Sequence, residues 1–117
     1  MAVSMTMPIL IVDDYNTMIR ILRNLLRQLG FSNIDEANDG AAALAKMRTK
    51  EYALVISDAS LGLQSSVRND ERMSKMPIVT VANDNGAAPK EADSAYIVAP
   101  FNAQALKAKL VSIIGAF

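Results

Sequence analysis

The strongest constraint on this chain is a set of short aliphatic runs that end in acids or turn formers and alternate with helix-length segments. Pro8-Ile9-Leu10-Ile11-Val12 is continuous and stops at Asp13-Asp14. A strand with one wet face alternates polar and apolar residues. A strand covered on both faces reads as an unbroken apolar run. Ala53-Leu54-Val55-Ile56-Ser57 repeats the pattern and stops at Asp58, while Pro77 to Ala82 and Ala95 to Val98 supply two further runs. Asn33 to Ala37 reads as a short second strand. Strand and helix in alternation imply a parallel sheet covered by helices on both faces.

The helical segments carry their own punctuation. Thr17 to Leu29 places Met18, Leu22, Leu25 and Leu29 on one face, Ile21 and Leu26 beside them, and Arg20, Arg23 and Arg27 opposite. Gly30 follows where a left-handed C-terminal residue is expected. Asp39 is placed to cap a second helix running to Arg48. Asn102 is placed to cap a last one, with Ala103, Leu106, Leu110 and Ile113 on its inner face. Two connections break the rhythm. Leu61 to Met76 holds few apolar residues for a core-facing helix. Asn83 to Ser94 is built of turn formers around Pro89, with room for about one helical turn.

Composition narrows the chemistry. With 117 residues, 51% of them apolar, the chain is expected to form one domain over 1–117, its core at about 8–115. Twelve basic and twelve acidic residues balance, so no global field draws it to nucleic acid or to an anionic membrane. No apolar run approaches the length that spans a bilayer. Met1 to Pro8 shows no signal-peptide pattern, and the expected location is cytoplasmic. The absence of cysteine excludes thiolate chemistry, and the absence of histidine excludes the usual general base and any Ser-His triad. The five glycines, at 30, 40, 62, 86 and 115, make no phosphate-binding loop. Carboxylates, hydroxyls and a divalent metal remain.

In an open parallel sheet, ligands bind beyond the carboxyl ends of the strands where strand order reverses. With order 2-1-3-4-5, Asp13 and Asp14 end strand one beside Asp58 at the end of strand three. Three converging carboxylates repel one another unless a hard cation joins them, and an all-oxygen site of this kind suits Mg²⁺.

The stretch Asp13-Asp14-Tyr15-Asn16-Thr17-Met18, with Arg20-Ile21, Arg23-Asn24-Leu25-Leu26 and Leu29-Gly30-Phe31, resembles the CheY-like receivers of bacterial two-component signalling. So do Glu36-Ala37, Asp39-Gly40, Val55-Ile56-Ser57-Asp58, Tyr96-Ile97-Val98 and Pro100-Phe101. The resemblance implies a flavodoxin-like (βα)₅ fold, here with a shortened third helix and a nearly absent fourth, and a cis bond before Pro100. It implies phosphoryl transfer from a histidine kinase or phosphotransfer protein onto Asp58, and signalling by protein contact, with the flagellar motor among the partners. It also implies Mg²⁺ held by Asp14 and Asp58, assisted by Asp13 through water and by the backbone carbonyl of Ser60.

The departures bear on the switch. Receivers keep a lysine before the late proline, where this chain has Ala99; its loss removes a charge-assisted contact of ~1.5–3 kcal/mol. Receivers keep Thr or Ser at the end of strand four, where this chain has Ala82. Thr80 lies two residues deeper. Tyr96 retains the aromatic switch position. The loss of both contacts admits a second reading, a phosphorylation-independent pseudo-receiver that docks a kinase, a flagellar switch protein or a nucleotide. Arg68 and Arg72 have the one-turn spacing of a phosphate grip, and the arginine stripe on the first helix is either a solvated face or a docking surface. Thin cover from 61–76 and 83–94 predicts Ile78 and Ile97 near the surface, and a homodimer or partner beside strands four and five.

Overall fold

The computed structural model describes residues 4–58, 63–71, 75–83 and 95–117. In chain order the elements are β1 (Ile9–Val12), α1 (Asn16–Gln28), β2 (Ile34–Ala37), α2 (Gly40–Thr49), β3 (Leu54–Asp58), α3 (Leu63–Arg68), β4 (Ile78–Asn83), β5 (Ala95–Ala99) and α4 (Ala103–Ile114). All strand pairs are parallel, in the order β2-β1-β3-β4-β5.

The unbroken apolar runs have the expected cause. In β1, Ile9 and Ile11 join one buried cluster with Ile19, Leu22 and Leu26 of α1 and Leu106 and Leu110 of α4. Leu10 and Val12 point the other way, into a second cluster with Ala43 and Met47 of α2 and Leu63 and Val67 of α3. All four β1 residues are completely buried. Each such aliphatic side chain contributes roughly 1.5–3 kcal/mol of transfer free energy, so the central strands anchor both layers.

The helix ends follow their capping residues. Asp39 Oδ1 accepts from the Ala42 amide at 2.7 Å, and Asn102 Oδ1 accepts from the Ala105 amide at 2.8 Å. Gly30 takes a positive φ of 110°, and the Phe31 amide reaches back to the Leu26 carbonyl at 3.0 Å. This closes α1 with a six-to-one bond that satisfies one of its free carbonyls. A Cβ at Gly30 would meet Met5 Sδ at 2.8 Å, so the glycine also makes room for the segment leading into β1. The Ala99–Pro100 bond is cis, as the resemblance implied. The third helix is short, six residues. The expected lack of a helix between β4 and β5 falls on 84–94, outside the described residues.

Two expectations need correction. The buried line of α1 is Ile19, Leu22 and Leu26, whereas Met18, Leu25 and Leu29 pack at its edge and Ile21 is 42% exposed. The apolar arc of this helix is broad, and its docking against β1 and α4 rotates the buried centre by one residue. Ile78 and Ile97 are buried rather than near the surface. Ile78 packs with Leu63 and Val67 of the short α3, and Ile97 packs with Leu106 and Leu110 of α4. The six-residue α3 thus shares a buried cluster with the start of β4. Val98 of β5 is exposed, at 43%.

Candidate functional site

Register brings the acids together. Val12 pairs with Ser57, so one residue further on Asp13 and Asp58 leave adjacent strands side by side. Asp13, Asp14 and Asp58 each offer a carboxylate oxygen, and the three lie within 4.8 Å of one another. Asp13 is buried, Asp58 is half-buried and Asp14 is exposed. The cluster therefore opens to solvent on the Asp14 side and is closed beneath Asp13.

Asp13 is fixed by its neighbours. Its amide donates to the Ala37 carbonyl at 3.1 Å, extending the β1–β2 ladder, and its Oδ1 accepts from the Tyr15 amide at 2.9 Å in an Asx turn. Burial pushes its carboxyl up to about 6 from an ordinary 3.8; the Tyr15 bond opposes this, and the Asp58 and Asp14 charges reinforce it. A pocket of hard oxygen donors with unbalanced negative charge matches what Mg²⁺ takes as ligands. The same charge makes the metal-free site electrostatically costly.

The remaining predicted positions fall around this centre. Thr80 pairs with Ser57 and Val81 with Asp58, so Ala82 lies one residue beyond the level of Asp58 and Thr80 one residue before it. Ala82 and Ala99 are both buried and bring only methyl groups. Tyr96 pairs with Thr80 and is half-buried, with Lys109 Nζ 5.9 Å from its ring centre. Pro100 is exposed at the end of β5. Ser60 and Arg72 lie outside the described residues. Arg68 Nη1 donates to the Met76 carbonyl at 3.0 Å, tying α3 to the approach to β4. On α1, Arg23 pairs with Glu36 of β2, which gives one member of the arginine stripe a structural use.

One contact at the rim was not anticipated. Asn38 Nδ2 donates to Asn16 Oδ1 at 2.8 Å, joining the residue after β2 to the first residue of α1. Nothing in the spacing of the two asparagines, 22 positions apart, announces that bond.

A five-stranded parallel sheet of this order, with acids at the ends of β1 and β3, defines a receiver of two-component signalling. Residues 9–111 match the response regulator receiver domain, and the chain belongs to that family. Within it the chain is CheY-like. It is 38% identical over 118 residues to the chemotaxis protein CheY of Pseudomonas aeruginosa, covering 92% of this chain and 95% of that one. It is equally 38% identical to the chemotaxis protein CheY-3 of Vibrio cholerae, covering 92% and 91%. Among solved structures, a CheY-like receiver domain from Methylobacillus flagellatus superposes with a TM-score of 0.75 at 28% identity, covering 92% of this chain and 98% of that one. The receiver domain of a Pseudomonas aeruginosa sensor histidine kinase, with a magnesium ion coordinated in its active site cleft, superposes at 0.82 with 22% identity, covering 95% and 99%.

Proposed function

We propose that Asp58 accepts a phosphoryl group from a phosphohistidine on a kinase or phosphotransfer protein, with Mg²⁺ held by Asp14, Asp58 and the Ser60 carbonyl and assisted by Asp13 through water. The observation that carries this reading is the convergence of three carboxylates at the ends of β1 and β3. A carboxylate oxygen of Asp58 forms the new bond to phosphorus as the donor's P–N bond breaks. The departing imidazole nitrogen keeps the electron pair and takes a proton from solvent. When bound, Mg²⁺ offsets the charge on the attacking carboxylate and the phosphoryl oxygens. Asp58 is held by the pairing of β3 between β1 and β4, so the nucleophile is in place before the donor arrives. Asp13 is held by the Tyr15 and Ala37 bonds.

The readout is weak in this reading. Ala82 has no hydroxyl to draw toward a phosphoryl group, and Ala99 has no ammonium to pair with it. A ligand shifts a conformational equilibrium only through contacts that differ between the two states, and both of these positions are methyl groups. The same two residues favour a second reading, docking of a partner such as a kinase or a flagellar switch protein without phosphorylation.

Incubation with Mg²⁺ and acetyl phosphate, followed by intact mass, tests the first reading. One phosphoryl adduct is expected, slow to form, absent with a chelator and absent in Asp58→Asn. An adduct that persists in Asp58→Asn overturns the assignment. Partner capture that is unchanged by Asp58→Asn and by phosphodonor would favour the second reading.

A further inference from the structure

The acid pair sits in the three-residue connection, Asp13 to Tyr15, that runs from β1 to Asn16 at the start of α1. That connection is pinned at both ends to two consecutive residues after the edge strand. At one end the Asp13 amide donates to the Ala37 carbonyl at 3.1 Å; at the other, Asn38 Nδ2 donates to Asn16 Oδ1 at 2.8 Å. Between them the Tyr15 amide donates to Asp13 Oδ1 at 2.9 Å.

Asn16 is the first helical residue of α1, and the cap position before it is Tyr15, which makes no side-chain capping bond. The Asn16 side chain is therefore placed to reach across the gap to Asn38. This bond does not shield a core, because both asparagines are exposed. An exposed amide–amide bond adds little to stability, since water offers both groups the same partners. Its effect is geometric: it fixes the start of α1 against the end of β2, and hence the far end of the short β1–α1 connection that carries Asp14.

We infer that the Asn16–Asn38 bond is a clasp that holds the acid pair in its metal-ready arrangement, with Asn38 a positioning residue for the centre. This rests on the reading of that centre as an Mg²⁺ site. Like-charged carboxylates relax apart when their backbone is free to move, and a cation must then gather them at an ordering cost. The clasp removes part of that cost in advance.

The test is a double-mutant cycle on the full chain, using Asn16→Ala, Asn38→Ala and the pair. Mg²⁺ affinity is read by titration, followed by NMR. Each single substitution is expected to weaken Mg²⁺ binding roughly threefold, as loss of one such bond allows. The double variant should be no worse than either single one, because one bond is lost in all three. Without metal, exchange of the Tyr15 amide should quicken in Asn38→Ala while the urea midpoint stays near that of the wild type. Single variants that bind Mg²⁺ like the wild type, or losses that add in the pair, overturn the inference and leave the metal reading standing. A wild type that takes up no Mg²⁺ overturns the metal reading itself and this inference with it.

Discussion

Lowering the pH from about 7.5 to about 5 in metal-free buffer should stabilise this protein, against the usual acid trend. The cause is Asp13, whose carboxyl is held at about 6 in the fold against an ordinary 3.8. Between those two values the folded chain keeps a proton that the unfolded chain has released. The stabilising contribution of a raised group is therefore present at low pH and is lost as pH rises through about 6. Integrating the difference in bound protons from about pH 7.5 to 5 yields about 1.4 kcal/mol. For a domain of this size that corresponds to roughly 5 °C in melting temperature. The chain has no histidine, so no side chain of ordinary pKa competes in this window. Asp35 acts in the opposite sense and elsewhere. Bonds from the Tyr52 hydroxyl and Lys50 hold its carboxyl below the ordinary value, so its contribution is lost only as pH falls through that depressed value. Saturating Mg²⁺ favours the ionised cluster and should flatten or reverse the gradient. Urea unfolding at several pH values, with chelator and with Mg²⁺, measures all of this. The reasoning fails if metal-free stability is flat or falls toward pH 5, or if Asp13→Asn keeps the same gain.

Three further outcomes follow from the packing and the site. Leu106→Ala removes a completely buried side chain between α4 and the sheet and should cost about 2–5 kcal/mol by urea unfolding, whereas Gln104→Ala on the exposed side of α4 should stay within about 0.5 kcal/mol. Gly30→Ala places a Cβ at positive φ and 2.8 Å from Met5 Sδ, so it should destabilise by about 1 kcal/mol or more, and adding Met5→Ala should recover only the steric part. Beryllofluoride, as a phosphoryl mimic, should move amide signals around Asp58 but barely those around Tyr96. The combined Ala82→Thr and Ala99→Lys variant should speed phosphorylation by acetyl phosphate and bring Tyr96 into the response; large shifts at Tyr96 in the wild type would show that the switch already works.

Much of the fold is written locally. Unbroken apolar runs report strands buried on two faces, as β1 and β3 are. Asp39 and Asn102 signal helix starts because a short polar side chain can reach its own helix's amides, which depends on neighbouring positions only. The clustering of Asp13, Asp14 and Asp58 was legible because a parallel sheet aligns the ends of its strands. Other features depend on partners distant in sequence, and only the tertiary structure decided them. The rotation of α1 that buries Ile19 and exposes Ile21 is set by where β1 and α4 lie. Ile78 is covered because the short α3 lands over it, and Ile97 because α4 packs against β5. The bond between Asn16 and Asn38 exists because β2 lies beside β1. The raised carboxyl of Asp13 has the same origin: desolvation and the charge of Asp58 act through space, and neither is encoded in the residues adjoining Asp13.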